Sequence, residues 1–236
     1  QSLNIPAIKI SEGVGRDLVR KVATGFGIHS DLNDTPAMAL GTSEATLLEM
    51  TAAYAGFLNG GSRVVPYGQV ELRVKGDDTP LVSQSSGIQE RVIQQEAAGQ
   101  LVWMMQHVIN DGTGGRAKLP DGREAAGKTG TSNDARDAWF IGFTADYVVG
   151  VWMGNDDNSP LNGVTGGGLP ADIWRETMSR VSEGLEKRPL PAIPPSEPAP
   201  QVAEQQPQQQ QRQPTRERRQ RDNFIQQLLN DLLGGR

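Results

Sequence analysis

The 236-residue chain has no cysteine and two histidines. Without cysteine there is no disulfide framework, a condition that fits a cell-envelope compartment and the cytosol equally. His29 reads as a surface residue in the polar loop Ser30-Asp31-Leu32-Asn33-Asp34. His107 falls among Met104, Met105 and Val108 and reads as a packing residue. Neither supports a Ser-His-Asp triad, no metal-ligand spacing is present, and no cofactor is called for. No run of about eighteen apolar residues exists, so no segment reads as a membrane-crossing helix. Hydrophobic residues make up 36%, little for a fully globular chain. The formal charge of −5 argues against a general nucleic-acid partner. Its cations concentrate instead: residues 212–221 hold five arginines and one glutamate. The chain begins at Gln1 without a signal-peptide pattern, and it is expected to be a piece of something longer.

What the chain does have is centred on Ala125-Ala126-Gly127-Lys128-Thr129-Gly130-Thr131-Ser132, followed by Asp137-Ala138-Trp139-Phe140-Ile141-Gly142-Phe143. The second part alternates bulky and small residues, as a strand entering a hairpin does. Strand alternation puts Thr129 and Thr131 on one face, beside the cation of Lys128. Gly127 and Gly130 let another backbone or a ligand approach closely. Such a site suits a carboxylate or a phosphate. The phosphate reading has a formal motif, because Gly122 to Thr129 satisfies G-x-x-x-x-G-K-[ST]. That motif works only between a buried strand and a helix N-terminus. Here a turn (Leu119-Pro120-Asp121-Gly122) precedes it and a strand follows, so the match is a decoy.

The carboxylate reading has wider support. Gly127-Lys128-Thr129-Gly130-Thr131, with Gly142-Phe143-Thr144 and Val149-Gly150-Val151-Trp152-Met153-Gly154-Asn155-Asp156, resembles the transpeptidase domain of class A penicillin-binding proteins. Leu40-Gly41-Thr42-Ser43-Glu44 with Tyr54 to Gly61 is similar to that family's central helix. Gly167 to Ala171 with Ile173-Trp174 is similar to its final loop and helix. The likeness covers about residues 1–184. It implies an α+β fold, a partial serine beta-lactamase/penicillin-binding transpeptidase fold whose antiparallel sheet is flanked by helices. Ser2-Leu3-Asn4 then matches the family's Ser-x-Asn motif, with Leu3 where beta-lactamases carry Asp.

Along the chain, Asn4 and Pro6 predict a helix start, with Asn4 as cap. Residues 16–23 read as a helix ended by Gly25-Phe26-Gly27. Ser43 is the expected cap of a helix carrying Leu47, Met50, Tyr54, Phe57 and Leu58. A strand is expected over 69–74, a long amphipathic helix over 90–110 closed by Gly112-Thr113-Gly114-Gly115, and a hairpin around Thr144-Ala145-Asp146. The loop with Gly166-Gly167-Gly168 reads either as simply flexible or as an active-site rim, and a helix follows over 171–184. Domain organisation is expected as residues 1–185 for the transpeptidase part, 186–221 as a disordered Pro/Gln/Arg-rich linker, and 222–236 as a short amphipathic helix. Residues 222–233 would need a protein or membrane-surface partner.

The resemblance implies acyl transfer from D-Ala-D-Ala peptidoglycan stem peptides, with beta-lactams as trapped mimics. Ser2, Asn4 and Lys128 would be catalytic. Thr129, Gly130, Thr131 and Ser132 would bind substrate, and the Thr131 N–H would form half of an oxyanion hole. No serine in the chain has lysine three positions on, so the family's Ser-x-x-Lys nucleophile is expected upstream, with a glycosyltransferase domain and a membrane anchor on the periplasmic face. A non-catalytic scaffold on the same fold, and a beta-lactamase or carboxypeptidase, remain alternatives.

Overall fold

Local chemistry decides where each element begins. The computed structural model describes residues 2–84 and 86–196. Helix α1 (Asn4–Val14) holds Pro6 in its first turn, where a missing N–H is harmless because those donors have no intrahelical acceptor. Asn4 is already helical, so the expected Asn4 cap is corrected: Leu3 stands at that position and supplies no side-chain bond. Gly15, at φ 97°, turns the chain straight into α2 (Arg16–Gly25), two residues longer than predicted.

Helix α3 (Leu47–Leu58) is capped by Thr46 rather than Ser43. The Thr46 hydroxyl accepts from Glu49 N at 3.2 Å, while the Glu49 carboxylate accepts from Thr46 N at 3.1 Å. This reciprocal box outcompetes Ser43, whose Oγ accepts from Asn33 N at 2.9 Å. Strand β1 (Ser62–Val64) and the hairpin of β2 (Glu71–Arg73) and β3 (Pro80–Ser83) follow, β2 being shorter than expected. Strand β4 (Ile88–Arg91) pairs antiparallel with β1, which withdraws its residues from the predicted 90–110 helix. Helix α4 therefore runs only over Gln95–Asn110. Val92 and Ile93 lie outside it, their N–H groups donating to Gly61 O.

The main sheet comprises β5 (Ala126–Thr131), β6 (Asp137–Phe143) and β7 (Val148–Gly154), antiparallel in that order, with β5 at the edge among the described residues. Lys128 pairs with Ile141, Thr129 with Phe140, and Trp139 with Trp152. The hairpin after β6 turns at Thr144, as expected, with Thr144 N donating to Tyr147 O. Helix α5 spans Leu169–Val181, earlier at both ends than predicted, with Pro170 in its first turn.

Alternation divides the sheet between two cores. Phe140, Val149 and Val151 pack with Ile109, Trp174 and Met178. On the opposite face, Ala126, Phe143 and Val148 meet Val102, Met105, Tyr54 and Phe57. Trp174 is fully buried, stands edge-on to Phe140 at 5.3 Å, and donates from Nε1 to Gly142 O at 3.1 Å. Helices on both faces of an antiparallel sheet are the α+β arrangement expected.

The packed unit continues through Pro195, ten residues past the predicted boundary at 185. Leu190 is buried and its N–H donates to the Glu124 carboxylate at 2.9 Å. Ile193 N donates to Gly99 O at 2.9 Å. Proline imposes an extended path, and an extended path can still lie in a groove and bury alternate side chains. The rest of the predicted linker and the predicted 222–236 helix lie outside the described residues.

Candidate active site

Strand β5 carries the site because its outer edge is unpaired among the described residues and its residues are small enough to be approached. Lys128 extends from it to Ser2, just before α1, and its Nζ donates to Ser2 Oγ at 2.6 Å and to Thr129 O at 2.7 Å. Residues 126 positions apart in sequence thus meet at one ammonium. Burial disfavours the charged amine and lowers the Lys128 pKa from its ordinary value. A partly desolvated cation of this kind exerts a stronger field than a surface lysine.

Thr129 and Thr131 open onto a cleft of about 410 Å³, lined also by Ser2, Thr113, Thr165 and Gly167. Thr129 Oγ1 lies 2.7 Å from Thr113 Oγ1, and Thr131 Oγ1 accepts from Gly166 N at 3.0 Å. The Gly166-Gly167-Gly168 segment is therefore the rim of the site. A Cβ on Gly166 would fall well inside van der Waals contact with Gly130 O and Trp139 O, and one on Gly167 would do the same against Thr113 O. Close backbone approach across Gly130 requires these glycines.

Two expected site residues stand apart. Asn4 is exposed at the start of α1, and its side chain makes no hydrogen bond among the described residues. The Ser132 hydroxyl serves the turn after β5: it donates to Asp137 Oδ2 at 3.0 Å and accepts from Asp137 N at 2.8 Å. His107 is half exposed rather than packed inside, bonded to Asp111 and edge-on to Trp103. No α-helix starts at the end of Gly122–Thr129, whose last residues lie in β5, and only a kinked 3-10 turn at Asn133–Ala135 follows that strand, so the nucleotide-loop motif has no phosphate-binding geometry.

Sequence reading missed Thr113 and Thr165. The available signal for Thr113 was a hydroxyl set between glycines, in a segment that looked sufficient as a helix stop. Its partner Thr129 lies on another element, sixteen residues on.

An edge strand thus presents two hydroxyls to an open cleft and carries a half-buried ammonium bonded to the serine that also lines it, an arrangement suited to an anionic group. The family comparison is specific on this point: the model of the penicillin binding protein transpeptidase domain matches residues 1–179, and the chain belongs to that family. Penicillin-binding protein 1A of Aquifex aeolicus is 34% identical over 182 residues, covering 77% of this chain and 24% of that protein. Penicillin-binding protein 1B of Escherichia coli is 31% identical over 202 residues, covering 84% and 23%. The chain thus spans about a quarter of the length of these curated relatives. Among solved structures, penicillin-binding protein 1A from Haemophilus influenzae superimposes with TM-score 0.72 at 28% identity, covering 83% of this chain and 35% of that one. PonA1 from Mycobacterium tuberculosis shares the fold with TM-score 0.67 at 23% identity, covering 77% and 55%.

Proposed function

We propose that these residues are the C-terminal part of a peptidoglycan D,D-transpeptidase of the bifunctional class A type, working on the periplasmic face of the inner membrane. The observation that carries the reading is the 2.6 Å bond from Lys128 to Ser2 beside the Thr129–Thr131 cleft. In the proposed reaction, a serine supplied upstream attacks the carbonyl between two D-alanines of a stem peptide. Its proton passes through the Ser2–Lys128 pair to the departing D-alanine amine. The donor's terminal carboxylate lies against Thr129 and Thr131, held by charge-assisted bonds. Thr131 N–H supplies one half of the oxyanion hole, a donor of the kind worth about 3 kcal/mol in such sites. An amine from a neighbouring stem then takes the acyl group and releases the serine. Beta-lactams enter as carboxylate-bearing mimics of the donor and stay bound as acyl-enzymes.

The test is covalent capture of a fluorescent penicillin. The longer parent chain is expected to be labelled, and these 236 residues alone are expected to remain unlabelled. Labelling of the isolated residues would overturn the upstream position of the nucleophile. An unlabelled parent would overturn the catalytic reading in favour of a scaffold. Rapid loss of label to water, without cross-linked product, would assign a hydrolase.

A further inference from the structure

We propose that Thr113 is a positioning residue that sets the hydroxyl of Thr129 as a donor into the cleft, so that Thr129 and Thr131 meet an incoming carboxylate with two O–H groups. The inference rests on the reading of the cleft as the acyl-donor site, and it adds a residue to which that reading assigns no role.

The inventory of protons and lone pairs at the cleft decides which hydroxyls can serve a carboxylate. A threonine hydroxyl has one proton and two lone pairs, whereas a carboxylate only accepts. A hydroxyl is useful to the carboxylate only if its proton is not committed elsewhere. For Thr131 the commitment is already decided: Gly166 N–H donates to Oγ1 at 3.0 Å, so the oxygen is used as an acceptor there and its proton is directed elsewhere. For Thr129 the partner is another hydroxyl, Thr113 Oγ1 at 2.7 Å, and either oxygen can be the donor. With the cleft empty, both directions are open. Once a carboxylate lies against Thr129, that hydroxyl gives its proton to it, so the bond runs one way: Thr113 donates to Thr129, and Thr129 donates to the carboxylate. The two bonds then polarise each other in the same sense.

The surrounding backbone holds this pair in place. Gly167 lies against Thr113 O so closely that no side chain fits between them, and Gly166 lies against Gly130. After α4, Gly114 N donates to Val108 O at 2.8 Å and Ala117 N to Gly114 O at 2.9 Å, which fixes the turn carrying Thr113. One glycine loop therefore serves both hydroxyls, Thr131 directly and Thr129 through Thr113. The positions of the two hydroxyl oxygens are set before the carboxylate binds, and its arrival fixes the direction of the Thr113–Thr129 bond.

The test uses Thr113→Val, which keeps the shape and removes the hydroxyl, and Thr113→Ser, which restores it. Both are made in the longer parent chain that the proposed function requires. The readout is the second-order rate of acylation by a beta-lactam bearing its free carboxylate, and by the same compound as its methyl ester. Thr113→Val is expected to slow the carboxylate form roughly 10-fold, the scale of one bond to a charged group, and to leave the ester rate within about 2-fold. Thr113→Ser is expected to restore most of the carboxylate rate. Equal slowing of both forms, or no slowing of either, would overturn the positioning role while the wild-type protein still acylates. If Thr113→Val lowers the melting temperature sharply, the ratio of carboxylate to ester rates in Thr113→Ser decides: a wild-type ratio supports the role, and a collapsed ratio contradicts it. Failure of the wild-type protein to acylate at all would strike the proposed function instead.

Discussion

At the scale of single residues, Lys128 carries opposing demands. Burial makes its charge costly, which lowers its pKa, while the proposed reaction calls for that charge beside Ser2. The sign for folding follows directly. A lysine with a folded pKa below its unfolded value is bound less tightly to its proton in the native state. Its penalty is therefore present at neutral pH and relieved as pH rises from the folded pKa toward about 10.5. Lys128→Met is expected to melt no lower than the parent protein at pH 7, while penicillin capture falls at least 100-fold. Thermal melting and labelling on the same preparation check both halves. Lys128, Thr129 and Thr131 were legible in sequence because one strand of small residues carries all three. Thr113 was not, because its role arises from a 2.7 Å meeting with another element.

At the scale of elements, boundaries followed reciprocal bonding rather than the strongest single residue. The Thr46–Glu49 box displaced the Ser43 cap, and pairing of β4 with β1 took residues 90 and 91 from a predicted helix. Hydrophobic period alone could not separate a short strand from the helix that follows it. The Glu49 carboxylate accepts from Ser30 Oγ, Thr46 N and His29 N, and these bonds hold its pKa down at about 2. A depressed carboxylate adds stability above its unfolded value of 4.5, and that stability is lost as pH falls through about 2. Glu49→Gln should therefore flatten the acid limb of stability between those values and leave the slope above pH 6 unchanged, as denaturant titrations across pH would record. In α5, Trp174 is clamped between Phe140 and Gly142, where an added Cβ would lie 3.0 Å from the indole. Trp174→Ala should cost about 4 kcal/mol of unfolding free energy through the cavity it leaves.

At the scale of the whole molecule, the α+β class and the helix-flanked sheet were legible from residues 1–184, and the end of the packed unit was not. A proline-rich composition signalled a linker from 186, yet the chain stays seated through Pro195. Arg123 explains why. Its side chain is 2% exposed and donates to the carbonyls of Leu185 and Glu186, both at 3.0 Å, with Asp121 and Asp146 within 3.4 Å. Nothing in the local sequence around Gly122-Arg123-Glu124 announces partners sixty residues away. Arg123→Met should lower stability by about 3 kcal/mol, because the buried Ser182 carbonyl, the part-buried carbonyls of Leu185 and Glu186 and the Asp146 carboxylate lose their donor. It should also open the chain to trypsin after Lys187, a bond expected to stay intact when the unsubstituted parent is given the same limited digestion.

The central claim, a carboxylate-receiving strand whose lysine works with Ser2 on an acyl donor, is tested most directly by measuring D-alanine release. The longer parent chain is incubated with a pentapeptide stem ending in D-Ala-D-Ala and an amine acceptor. The expected result is one D-alanine per cross-link formed, blocked by penicillin and reduced at least 100-fold in Lys128→Ala and in Ser2→Ala. Release that persists undiminished in both variants, or that ignores penicillin, would contradict it.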